Sequence, residues 1–169
     1  MTRSPAPHQP GPNPRGTIHR IHVSNGGVPK LAVASAEAGP EGLAGDWQND
    51  RKHHGGPERG LCLLGLDVIE RLADEGHPIS PGTTGENLTL AGVHWADLAP
   101  GQRLLFEGGV ELKITSHAVP CPTIAASFEG GDFSRMSAKL HPNDSRLYAR
   151  VQRTGPLAAG ESFVVVAPD

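Results

Sequence analysis

Arg103-Leu104-Leu105-Phe106-Glu107-Gly108-Gly109-Val110-Glu111-Leu112-Lys113-Ile114-Thr115 holds two short apolar runs on either side of a tight, glycine-bearing connection. Runs of four to six residues joined this way predict a β-hairpin, Arg103–Phe106 against Val110–Thr115. The same pattern recurs along the chain. Strands are expected at Thr17–Val23, Leu31–Ala34, Gly60–Leu64, Glu86–Leu90, Arg146–Gln152 and Ser162–Val166, the last two joined by a turn through Gly155, Pro156 and Gly160. With 22 glycines and 16 prolines among 169 residues, turn formers make up more than a fifth of the chain, which argues for an all-β domain and against a helical bundle.

One segment departs from this pattern. Leu66, Ile69, Leu72 and Ala73 fall at helical spacing, with Gly76 and Pro78 as stop signals. A second, weaker helix is expected near Phe128–Leu140, capped by Asp132 or Ser134. Few segments are suited to parallel crossovers, so the expected architecture is a mainly antiparallel β-barrel with one or two short helices. Closure would remove exposed strand edges, and the loops at one end would carry the chemistry.

Length fits one domain. Residues 1–16 contain five prolines and almost no apolar side chains; they are expected to form a disordered tail before a domain spanning 17–169. The tail lacks the apolar run of a secretion signal and no segment reaches membrane-spanning length, so a cytoplasmic protein is expected, with no membrane partner. A net charge of −3, scattered Lys and Arg and few aromatic residues speak against nucleic acid.

Three polar features carry candidate chemistry. In Ala118-Val119-Pro120-Cys121-Pro122, prolines on both sides of Cys121 restrict the backbone and predict an extended, presented thiol, suited to metal ligation, sulfur transfer or nucleophilic attack. A small buried hydrophobe is the ordinary alternative for such a cysteine. Cys62, in Leu61-Cys62-Leu63-Leu64, reads as core, and two free thiols are expected over a Cys62–Cys121 bridge. The second feature is the polar stretch 45–59. Asp46, Gln48, Asp50, His53, His54 and Arg59 supply hydrogen-bonding groups, and His54-Gly55-Gly56-Pro57 offers an amide nest for an anion. A solvated Ω-loop is equally compatible with it. Adjacent His53 and His54 point apart in an extended chain, so a zinc site is disfavoured. The third is Pro81-Gly82-Thr83-Thr84-Gly85-Glu86-Asn87. Here Glu86 reads either as an acid–base group or as an acceptor for loop amides, and Asn87 reads foremost as a turn lock.

In this order the stretches resemble the MOSC domain, found at the C-terminus of molybdenum-cofactor sulfurases and in small stand-alone bacterial proteins. The matching pieces are Gly45-Asp46-x-Gln48-x-Asp50, His54-Gly55-Gly56-Pro57, Pro81-Gly82-Thr83-x-Gly85-Glu86-Asn87, Pro100-Gly101, Pro120-Cys121 and Tyr148-Ala149-Arg150-Val151, over about residues 16–167. The resemblance implies a β-barrel that binds the molybdenum cofactor (molybdopterin). It assigns Cys121 as thiolate ligand to molybdenum or as sulfur carrier, with Glu86 catalytic and His54, Gly55, Gly56, Arg59, Asn87 and Arg150 cofactor-binding. Two departures stand out. Many members carry an Arg where this chain has Ala118, and the extra N-terminal barrel of the longer amidoxime-reducing proteins is not expected here. The leading expectation is an oxidoreductase that reduces a small N-hydroxylated substrate with electrons from a separate reductase. The alternatives are a non-catalytic carrier of persulfide sulfur from a cysteine desulfurase, and a ligand-binding barrel with a structural cysteine. A homodimer is expected on general grounds.

Overall fold

The computed structural model describes residues 13–47 and 56–169. Its strands are β1 (Arg15–Val23), β2 (Leu31–Val33), β3 (Ser35–Gly39), β4 (Gly42–Leu43), β5 (Leu61–Gly65), β6 (Leu88–Ala91), β7 (Arg103–Phe106), β8 (Glu111–His117), β9 (Leu147–Arg153), β10 (Gly155–Ala158) and β11 (Ser162–Val166), with helix α1 at Leu66–Asp74. Seven strands close into a ring in the order β1-β11-β7-β8-β9-β5-β6, and β6 returns to β1. Every step is antiparallel except β5–β6, where Leu63 lies beside Leu88 and Gly65 beside Leu90. A parallel neighbour needs a long crossover, which α1 and the loop after it provide. The barrel is therefore mixed, and the expected all-β closure is present.

The hairpin of β7 and β8 forms as its sequence predicts, with Arg103 opposite Lys113 and Leu105 opposite Glu111. Alternation sends Leu104, Phe106, Leu112 and Ile114 into the barrel interior. In β1, Ile18 and Ile21 are three residues apart yet both fully buried. A register shift between Ile18 and Arg20 resets the alternation and lets both face inward. Each such Leu or Ile contributes about 1.5–3 kcal/mol through burial.

The differences from expectation have local causes. β1 begins at Arg15 because Gly16 pairs with Phe163, so the chain is ordered into strand two residues before the expected domain start; residues 1–12 lie outside those described. Gly155–Ala158, read as a turn, is a strand paired with Ser35–Ala38, and β4 completes this second, three-stranded sheet. Ser35-Ala36-Glu37-Ala38-Gly39 has little β propensity, so only its partner makes it a strand. Pro156 is tolerated because β10 is an edge. The second helix is replaced by short 3-10 turns at Pro122–Ser127, Glu129–Gly131 and Phe133–Met136. Gly130 and Gly131 sit at φ 63 and 73, which no α-helix continues through. The expected cap does form, with Asp132 accepting from the Ser134 amide.

No helix among the described residues is long and apolar enough to cross a membrane.

Candidate functional site on the outer wall of the barrel

Leu61 and Leu63 point into the barrel, so Cys62 between them points out. It meets Tyr148 across the β5–β9 pairing, and with Ala118 these residues form an apolar cluster separate from the main core. The chemistry-bearing side chains gather around this patch, most of them on the turn before β5, the loop before β6 and the connector after β8. Alternation on β9 places Tyr148 and Arg150 on one face, and Arg146, just before the strand, continues their row from exposed to buried.

Behind the patch lies the loop leading into β6. Asn87 is fully buried; its Oδ1 accepts from the Cys62 amide at 2.9 Å, and its Nδ2 donates to Asp46 Oδ2 at 2.9 Å and to the His22 carbonyl at 3.3 Å. Asp46 in turn accepts from Lys30 Nζ at 2.7 Å and from the Ser24 amide at 2.9 Å. The expected turn lock is thus a tie between three chain segments. Glu86 is also fully buried, its carboxylate accepting from the Gly82 amide and the Thr84 hydroxyl. Burial pushes its pKa up against those two hydrogen bonds. Both carboxylate oxygens are engaged within the loop. His22, under the same loop, is lowered to about 4, first by burial and then by the Arg20 charge.

In front of the patch lies Cys121. Its backbone is extended (φ −139°, ψ 168°), as the flanking prolines predict, and its side chain is half-buried and free of disulfide. Pro122 starts the 3-10 turn at Pro122–Ser127, since the first helical position needs no amide donor. Cys121 Sγ lies 2.8 Å from Thr123 Oγ1. The turn docks on the Glu86 loop through Ser127 Oγ, which donates to the Thr83 carbonyl at 3.1 Å.

Of the polar stretch 45–59, residues 48–55, and with them Gln48, Asp50, His53, His54 and Gly55, lie outside the described residues. Gly56, at φ 86, opens the short turn Pro57–Arg59. That turn lies against the same wall. Thr115 Oγ1 donates to the Glu58 carbonyl at 2.6 Å, Arg150 Nη1 donates to Glu58 Oε1 at 2.8 Å, and the Arg59 guanidinium lies 5.8 Å from the Tyr148 ring centroid. Burial, with the neighbouring Cys62, pushes the Tyr148 phenol up to about 12, so it is a neutral hydroxyl at physiological pH. Burial likewise pushes the Cys62 thiol up.

The structure therefore gathers Cys121, Arg59, Gly56 and Arg150 on the wall, with Asn87 and Glu86 as its buried support. Sequence reading passed over Arg146, Cys62 and Lys30 as site-forming groups. Arg146 had a weak signal, an arginine opening an apolar strand. Lys30 had none, because a lysine in a Gly/Pro turn looks solvated. Among the described residues no group of three or more His, Cys, Asp or Glu side chains is arranged to hold a metal ion.

The MOSC domain family model matches residues 50–164. The protein YflK of Bacillus subtilis is 25% identical over 129 residues, 75% of this chain and 57% of that protein, so the chain spans little more than half the length of this relative. Among solved structures, YuaD from Bacillus subtilis superposes with a TM-score of 0.71 at 16% identity, over 93% of this chain and 98% of that one. YiiM from Geobacillus stearothermophilus gives 0.71 at 22% identity, over 89% and 75% of the two chains. At these identities the likeness is one of fold.

Proposed function

This chain belongs to the MOSC domain family, which is associated with molybdenum-cofactor binding, and we propose that it binds that cofactor through Cys121 and reduces small N-hydroxylated compounds. The observation that carries the reading is the half-buried Cys121 sulfur beside Thr123, on a wall that also presents Arg59 and Arg150. A soft thiolate suits a metal delivered with ligands of its own, and the donors present fit such a group.

In this reading Cys121 would hold the metal, and the cofactor would supply the two-electron chemistry. The chain's own residues do the rest. Held to a metal as a thiolate, Cys121 would have only acceptor capacity, and the Thr123 hydroxyl would donate to it and fix its direction. Arg59 and Arg150 supply positive charge for anionic edges of a ligand, and Gly56 lets backbone approach closely. Tyr148, neutral at physiological pH, offers a hydroxyl at the floor. Asn87 holds the Cys62 strand and the Asp46 segment in register beneath, and Glu86 shapes the loop on which the Cys121 turn rests. His54 and Gly55 complete the cradle in this proposal, and a separate reductase provides electrons.

Protein purified from cells able to make the cofactor is expected to carry molybdenum, with the content of Cys121→Ala at least about tenfold lower. Metal at background in the intact protein overturns the reading.

The accessibility of the same sulfur also favours a second reading, in which Cys121 carries persulfide sulfur received from a desulfurase. Intact-mass measurement after incubation with a desulfurase and cysteine then shows one added sulfur atom in wild type and none in Cys121→Ala. An unchanged wild-type mass discards it.

A further inference from the structure

Arg146 is only 5% exposed, yet much of its guanidinium is unused. Nη1 donates to the Thr84 carbonyl at 2.7 Å, whereas Nε and Nη2 are out of contact with solvent and meet no acceptor in hydrogen-bond geometry among the described residues. Arginine remains charged in proteins, and buried polar groups are almost always paired, so two idle donors on one buried cation call for an explanation. The nearby acceptors are committed elsewhere. Glu86 takes the Gly82 amide and the Thr84 hydroxyl; Asp144 takes Arg71 and Arg135. Cys62 feels the Arg146 charge and lies within reach of a weak N–H···S contact from it, but burial keeps its thiol protonated and so a poor acceptor.

The position matters as much as the vacancy. The Ala118 amide donates to the Arg146 carbonyl at 2.9 Å, and Ala118 begins the connector that leads to Cys121. Tyr148 is influenced by both Arg146 and Cys121, so the two share one neighbourhood. Nε and Nη2 form the side of a guanidinium that takes two oxygens of a carboxylate or phosphate at once.

We propose that the Nε–Nη2 edge of Arg146 is the seat of an oxyanion group, phosphate or carboxylate, carried by the small molecule that reaches Cys121. The assignment rests on the reading of this wall as a ligand-binding face. It makes Arg146 the residue that selects anionic ligands, beside the exposed Arg150.

Metal-free full-length protein titrated with inorganic phosphate, and separately with acetate, tests the seat by calorimetry and by thermal shift. Wild type is expected to bind one or both saturably. Arg146→Lys, which keeps the charge and loses the fork, and Arg146→Gln are expected to bind at least about tenfold more weakly, and the exposed Arg153→Ala to bind like wild type. Phosphate-only binding points to a phosphorylated ligand, acetate-only binding to a carboxylate. Absence of saturable binding in wild type, or equal binding in Arg146→Gln, overturns the seat. If the variants do not fold, the side-chain Nε–H signals of 15N-labelled wild type decide. A buried, slowly exchanging arginine Nε–H is expected to shift with the same saturation curve, and its indifference to both anions overturns the proposal. Because no molybdenum is involved, failure of the metal assay on Cys121 with anion binding intact sinks the cofactor reading alone, and the reverse result sinks the seat alone.

Discussion

Asn87 joins β1, β5 and the Asp46 segment, since beyond its side-chain bonds its amide donates to the Cys62 carbonyl and its carbonyl accepts from the His22 amide. An asparagine after glycines could be read as a turn lock; which strands it locks could not, because its partners lie 25, 41 and 65 residues away. His22 is a second residue whose role only burial reveals. In sequence it sits between the apolar Ile21 and Val23 and so takes the polar position of the strand, but in the structure it is 1% exposed beneath the Glu86 loop, and its pKa falls from 6.5 to about 4. A histidine lowered on folding binds its proton more readily in the unfolded chain. Stability is therefore complete above pH 6.5 and drains away as pH falls toward 4, by at most about 3 kcal/mol. Glu86 runs the other way, its contribution fading as pH climbs above its ordinary 4.5. Urea unfolding of wild type and His22→Leu between pH 7 and 4 isolates the histidine. The variant is expected to lose the His22 share of the slope, and parallel curves refute the assignment.

At the scale of elements, the loop before β6 decides where the wall can form. Gly82 has φ 89, and a side chain there would meet the Lys30 carbonyl at 2.5 Å and the His22 ring at 2.9 Å. The same residue accepts from the Lys30 amide and donates to Glu86, so the loop is seated on β1 and the Lys30 turn by backbone contacts. Gly82→Ala is expected to cost more than about 2 kcal/mol in chemical denaturation and to speed hydrogen exchange in residues 82–87, through strain at a left-handed backbone position and the close approach. Wild-type stability would refute the tight seat. The helix α1 was legible from its helical spacing, but the buried face is Val68, Ile69 and Leu72, with Leu66 half-buried and the expected Ala73 exposed. The 3-10 segment after Cys121 was not, since its turns are too short to show a period. It is held to α1 by Arg135, which pairs with Glu75 and Asp144.

For the whole molecule, the decisive event is closure of the ring between its first and last strands. Gly16 stands at that seam; a β-carbon there would come within 2.5 Å of the Ala91 carbonyl and 2.6 Å of the Phe163 ring. Phe163 also packs on Phe106, ring centroids 5.3 Å apart. Gly16→Val is expected to lower the unfolding midpoint and to raise hydrogen exchange first in β1 and β11, because a barrel opened at one seam exposes two edges. Uniform exchange across the strands would count against closure as the weak point. The sequence by itself determined the strands that carry their own pattern, helix α1, the extended backbone at Cys121 and the family, because alternation, helical period and proline geometry are local and family motifs are linear. Tertiary structure alone decided the parallel β5–β6 step, the β3–β10 pairing, the burial of Glu86 and the half-used guanidinium of Arg146. These depend on which distant segment lies alongside, and that neighbour is set by closure of the ring, a non-local event that no short window of residues encodes.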